Sequence, residues 1–249
     1  GLGYGIWVHP EGTLFLDDAR VSSADPDVGF TFEVHGKAVI MDSVITGTSV
    51  DPDHENGEGG MEVYSGDVRV EDTVFEGALS AAVMTVGCSP TFSNCTFLNS
   101  SDEGIEVHGG RPLIEDCTFR TCQWPLILWN GSEALILNCT FVDCPRGIDL
   151  AQSSPTIRGC TFRDIDEYAV QWTSDTDPEP TMVDNTFEDV GTETDVQQAF
   201  ASMGSVCTAV TVMTAMIGTV VLLTMNRKRP ERVARDADPE MIGLGDRGL

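Results

Sequence analysis

The chain has 249 residues, 41% of them hydrophobic, enough for a sizeable core in one or two domains. Its formal net charge is −26 and its pI about 4.1. Nucleic acid and anionic lipid headgroups are therefore poor partners, and cations or basic surfaces are favoured ones.

A repeat organises residues 1–194. The word Cys-Thr-Phe stands at 95–97, 117–119, 139–141 and 160–162. With the apolar residue at the end of each word as an anchor, the series runs Val21, Ile45, Phe75, Phe97, Phe119, Phe141, Phe162, Phe187, with gaps of 24, 30, 22, 22, 22, 21 and 25. A fixed period of this kind marks a solenoid, in which each repeat buries its apolar face only by stacking on its neighbours.

Other positions keep the same register. Five residues before the anchor stand Leu16, Ile40, Val70, Phe92, Ile114, Ile136, Ile157 and Met182, all apolar. Three before it stand Asp18, Asp42, Asp72, Asn94, Asp116, Asn138, Gly159 and Asp184, the residue types that best tolerate left-handed backbone, so the chain bends there. Side chains alternate along a strand, so the Cys and Phe of each word point inward and the Thr between them points out. A second short strand follows, as GIEV (104–107), PLIL (125–128), GIDL (147–150) and AVQW (169–172).

Short strands, a left-handed bend and a period too short to hold a helix predict an all-β fold: a right-handed parallel β-helix solenoid of about eight coils, stacked ~4.8 Å apart into a rod of about 38 Å. A leucine-rich repeat fits less well, because the asparagine falls at a bend between strands and no leucine scaffold surrounds it. The repeats, which read much like IxNCTF…GIxL, resemble those of the pectate-lyase-like superfamily over about residues 6 to 194. The resemblance implies the fold and leaves function open among lyases, hydrolases, epimerases, tailspikes, adhesins and periplasmic maturation proteins. The acid-rich surface holds only two lysines, Lys37 and Lys228, and resembles those of salt-adapted archaeal proteins.

The cysteines read as core. Those of the repeated word stack coil on coil. Cys122 and Cys144 fall three residues after their anchors, where other repeats place mostly small or apolar residues. A zinc or iron–sulfur site needs convergent ligands, which a linear ladder does not supply.

In chain order, the first candidate site is the loop DPDHENGEGG, where Asp51, Asp53, Glu55 and Glu58 offer oxygen ligands to a calcium ion; no other cofactor is expected. Asn99 and Asn130 lie in Asn-X-Ser/Thr sequons and are the favoured glycosylation acceptors, because Asn94 and Asn138, also in sequons, occupy the bend. On the GI-type strands the outward column is Glu106, Ile127, Asp149, Gln171. Glu106 and Asp149 would stand two coils apart, ~9.6 Å at the backbone, near the wide end for an inverting carboxylate pair. His108, Arg111 and Arg146 lie near enough in sequence to position a uronate. The chain lacks the clustered Asp-Asp with nearby His and Arg that glycan hydrolases of the resembled superfamily use, and the lysine and arginine richness of its lyases.

The chain starts at Gly1 without a methionine or signal peptide, and a preceding N-terminal piece is expected. After a linker at 195–198, residues 199–225 carry no charge and are long enough to cross a bilayer as a transmembrane helix. Arg227, Lys228, Arg229, Arg232 and Arg235 follow at once, so the tail, 226–249, is read as a disordered cytoplasmic segment and residues 1–194 as an outward-facing ectodomain. The expected function is a cell-surface anchored β-helix module, single-pass in the cell membrane, that binds a glycan or another envelope component or acts structurally. The alternative is a membrane-tethered polysaccharide lyase, hydrolase or epimerase.

Overall fold

The structure is a computed structural model that describes residues 4–22, 30–47, 60–78, 80–173, 176 and 178–197. The chain divides into two units, Gly1–Ala199 and Phe200–Leu249, and the described residues all belong to the first. No helix among them is long and apolar enough to cross a membrane. The expected transmembrane segment 199–225 and the calcium loop at Asp51–Glu58 both lie outside the described residues.

The first unit is the expected parallel β-helix of about eight coils, and each coil contributes a strand to each of three faces. The first face is an eight-stranded sheet in sequence order, from Thr13–Asp17 to Thr181–Val183. The second carries the anchors, from Arg20–Ser22 through Thr96–Leu98 to Thr186–Val190. The third carries the GI-type strands, from Tyr4–Val8 through Glu103–His108 to Thr194–Gln197. All three pair parallel, coil to coil, as in Phe92↔Ile114, Phe97↔Phe119 and Glu106↔Ile127.

The bends follow the residue types read from the sequence. All eight residues three before the anchor have φ between 47° and 66°, from Asp42 and Asp72 to Gly159. A second corner, which the sequence reading missed, falls two residues after the anchor. Gly47, Gly77, Asn99, Thr121, Asp143, Asp164 and Asp189 all have φ between 52° and 70° there. In two coils this corner lies inside one long strand, Thr140–Leu150 and Thr161–Thr173, rather than at a break between two, and a register shift follows it between Cys144 and Arg146. Those strands join the second and third faces into one 15-stranded sheet.

Inside, the anchors form a ladder. Phe75, Phe97, Phe119, Phe141, Phe162 and Phe187 stack with centroid spacings of 4.7–5.4 Å and planes within 11° of parallel. Each pair adds about 0.5–1.5 kcal/mol beyond the burial of its rings. The thiols two residues earlier form a parallel ladder, each donating to a carbonyl one coil back: Cys95 Sγ to Val70 O at 3.4 Å, Cys117 Sγ to Phe92 O at 3.6 Å, Cys139 Sγ to Ile114 O at 3.5 Å and Cys160 Sγ to Ile136 O at 3.6 Å. The seven described cysteines are buried and free, as the core reading expected. Burial pushes the Cys122 thiol up to about 12 and those of Cys88 and Cys144 upward as well.

The glycine of the GI word is steric. A Cβ on Gly104 would meet Pro125 O at 2.6 Å and the Phe119 ring at 2.9 Å, and one on Gly147 would meet Ala169 O at 2.1 Å. In these two coils the third face therefore enters against the anchor ring of the next coil, Phe119 and Phe162 respectively.

Candidate functional site

Register places the outward residues of the third face. One column runs Trp7, Glu33, Glu62, Met84, Glu106, Ile127, Asp149, Gln171, Asp195. The residues two further along each strand form a second column, which includes His35, Tyr64, Val86, His108 and Trp129. Three residues before Glu106, Ile127 and Asp149 lie Glu103, Trp124 and Arg146. Glu103 pairs in register with Trp124, and Arg146 with Tyr168.

These columns converge on a polar and aromatic patch over the coils of residues 103–108, 124–129, 146–150 and 168–171. At its centre the Arg146 guanidinium lies over the Trp124 ring, its carbon 3.8 Å from the centroid. The same guanidinium donates to Glu167, Nε to Oε2 at 2.8 Å and an Nη to Oε1 at 3.1 Å. Tyr168 OH donates to Asp149 Oδ2 at 2.8 Å, and His108 Nε2 to Glu106 Oε1 at 2.9 Å. Trp129 stands beside His108, 40% exposed. Flat rings, hydroxyl and carboxylate groups on one rigid face are the components that recognise a polyhydroxylated ring.

Burial changes the acids. Glu103 is raised to about 7, first by desolvation and then by repulsion from Asp102 and Glu106. Asp102 is raised by desolvation alone. Asp149 is raised by desolvation, which outweighs the Tyr168 hydrogen bond and the Arg146 charge, both of which favour the carboxylate. Near neutral pH Glu103 is thus balanced between proton donor and acceptor, the state that acid–base chemistry needs.

The expected residues distribute as follows. Glu106 and Asp149 do face out in one column two coils apart, separated by Ile127, which is only 7% exposed. His108 and Arg146 belong to the patch. Arg111 does not: it follows the Gly109–Gly110 turn and pairs with Glu133 of the next coil, Nη to Oε2 at 2.5 Å. Both guanidiniums considered for a uronate are already engaged by carboxylates of this chain. Asn99 and Asn130 are exposed but have φ of 54° and 55°, so all four sequon asparagines occupy left-handed bends and that criterion does not separate them. Among the described residues no group of three or more His, Cys, Asp or Glu is arranged to hold a metal ion.

Glu103, Trp124, Trp129 and Tyr168 were missed by the sequence reading. A signal for the outer columns was present in a repeated word: EVH at 33–35 and 106–108, and EVY at 62–64, each set an acid and a ring on the same outward side.

Comparison with known proteins agrees with the fold. The model of the family described as right handed beta helix region matches residues 4–123 and 60–205. No curated protein matches in sequence. Two solved structures are similar: the catalytic domain of a GH87 α-1,3-glucanase variant in complex with tetrasaccharides, at TM-score 0.53 and 16% identity over 74% of this chain and 41% of that one, and the catalytic domain of a GH87 α-1,3-glucanase in complex with nigerose, at TM-score 0.51 and 16% identity over 74% and 40%. This chain spans about two fifths of those chains, and at that identity the likeness concerns the fold. The chain belongs to the right-handed β-helix family.

Proposed function

We propose that the third face of the β-helix is a glycan-binding surface, carried outside the cell on a single-pass anchor formed by residues 199–225. The observation that supports it best is the Trp124–Arg146 stack, flanked by Trp129, Tyr168, Asp149 and Glu106 on one set of aligned coils. A pyranose ring lays its C–H face on an exposed indole and turns its hydroxyls toward carboxylates, and Trp129 with Glu106 and Asp149 supplies both, held beside the Trp124–Arg146 stack. The similar folds of α-1,3-glucanase catalytic domains in complex with saccharides are compatible with it. The test is retention of the full chain, in detergent, on gels containing neutral or acidic polysaccharides. Retention on a glycan that is lost in Trp129→Ala supports the reading. Equal mobility on every polysaccharide sinks it.

A second reading, glycoside hydrolysis, is favoured by Glu103, whose raised pKa of about 7 suits a general acid. Glu103 would protonate the glycosidic oxygen while Glu106, on the same strand and near enough to repel it, removes a proton from the attacking water. New chain ends, detected by mass spectrometry and absent with Glu103→Gln and with Glu106→Gln, would establish it. Binding without new ends would leave the surface module.

A further inference from the structure

The N-terminal strands of the third face carry a second aromatic cluster, apart from the patch above. Trp7 is 64% exposed, with its ring edge-on to His9 at 5.6 Å and to His35 at 6.4 Å between centroids. The His35 ring lies flat on Tyr64, at 4.6 Å and 3° from parallel. Behind the rings stand two carboxylates. His35 Nε2 donates to Glu33 Oε1 at 2.6 Å, and Tyr64 OH donates to Glu62 Oε2 at 2.8 Å. Glu62 is itself only 6% exposed. These bonds hold the rings upright on adjacent coils, so the cluster is built rather than a scatter of surface side chains.

Its place in the register decides what it is for. Trp7, Glu33 and Glu62 begin the column that continues to Glu106 and Asp149, and His35 and Tyr64 begin the one that ends at Trp129. From Tyr64 to Trp129 is three coils, ~14 Å along the axis. A linear polymer lying along the rod can therefore rest on both aromatic clusters at once.

Charge narrows the ligand. The strands Tyr4–Val8, Phe30–Val34 and Met61–Val63 contain no lysine or arginine, and Lys37, just beyond them, is paired with Asp67 at 3.3 Å. A carboxylate-bearing sugar laid against the rings would meet the half-exposed Glu33 carboxylate, whereas a neutral sugar donates a hydroxyl to it.

We infer that Trp7, His35 and Tyr64 form a second sugar-stacking platform for uncharged hexopyranose units, and that one neutral polysaccharide chain spans both platforms along the rod axis. This rests on the glycan-binding reading of the face and deepens it by naming the class of glycan.

The test is isothermal titration of the full chain, in a neutral detergent, with glucose oligosaccharides of increasing length and with oligogalacturonate. The proteins are wild type, Trp7→Ala, Trp129→Ala and the conservative Trp7→Phe, each checked for fold by circular dichroism. Short neutral oligosaccharides are expected to bind two per chain in wild type and one in either alanine variant. Long ones are expected to bind once, roughly five- to tenfold more weakly in either alanine variant and near normally in Trp7→Phe. Oligogalacturonate is expected to bind more weakly than the neutral series. If Trp7→Ala changes neither stoichiometry nor affinity while Trp129→Ala abolishes binding, the second platform is overturned and the first survives. Preference for oligogalacturonate overturns the ligand class, and absence of binding to every oligosaccharide overturns both readings.

Discussion

The guanidinium of Arg146 lies 3.8 Å from the centre of the Trp124 ring while its Nε donates to Glu167 Oε2 at 2.8 Å, so one side chain ties two neighbouring strands together across the candidate site. A lysine keeps the charge but has no planar fork to stack and bridge at once. Arg146→Lys is expected to weaken glycan retention roughly three- to tenfold, the equivalent of a lost cation–π contact, with little change in melting temperature. Affinity electrophoresis beside a thermal melt separates the two effects.

Glu103 gives a pH dependence of stability. Its pKa is raised from 4.5 to about 7, so the folded chain keeps a proton that the unfolded chain releases. The folded form binds more protons across this interval, and the stability held at low pH falls as pH rises from about 4.5 to about 7. For a partly exposed group the loss is about 1–2 kcal/mol after solvent screening. Urea denaturation at several pH values is expected to show that decline in wild type and a flatter profile in Glu103→Gln. An unchanged profile in the variant would remove Glu103 from the account.

Thr121 occupies a left-handed corner at φ 53°, where the equivalent residues are Gly47, Gly77, Asn99, Asp143, Asp164 and Asp189. A β-branched residue pays about 1–2 kcal/mol for that conformation. Thr121→Asn is expected to stabilise the chain by about 1 kcal/mol, read as a higher urea midpoint at constant slope.

The phenylalanine ladder predicts a gradient. Phe119 is fully buried with a ring on either side, whereas Phe187 closes the series at 5.4 Å from Phe162 and is only partly buried. Phe119→Ala is expected to cost about 3–5 kcal/mol and Phe187→Ala distinctly less. Equal losses in chemical denaturation would contradict end fraying of the solenoid.

The fold was legible because its determinants are local and repeated. The Asp, Asn and Gly residues three before the anchors dictate left-handed bends, and the inward Cys and Phe dictate the stack. The second corner was harder to see, because Thr121 breaks the pattern that its glycine, asparagine and aspartate equivalents keep. The site was legible only in part. The column through Glu106 and Asp149 followed from strand alternation, but Glu103 faces out across a break in that alternation, between buried Gly104 and Ile105. The engagement of Arg146 with Trp124 and Glu167 depends on packing between coils, which no single repeat encodes.

The central claim, that the third face is the glycan-binding surface, is tested most directly by hydrogen exchange of the full chain with and without a neutral glucan that it retains. The account predicts slowed exchange in the strands Glu103–His108 and Trp124–Trp129 and in the 146–150 segment, with no change in first-face strands such as Leu113–Glu115 and Leu135–Leu137. Protection centred on the first face, or spread evenly over all three, would contradict it.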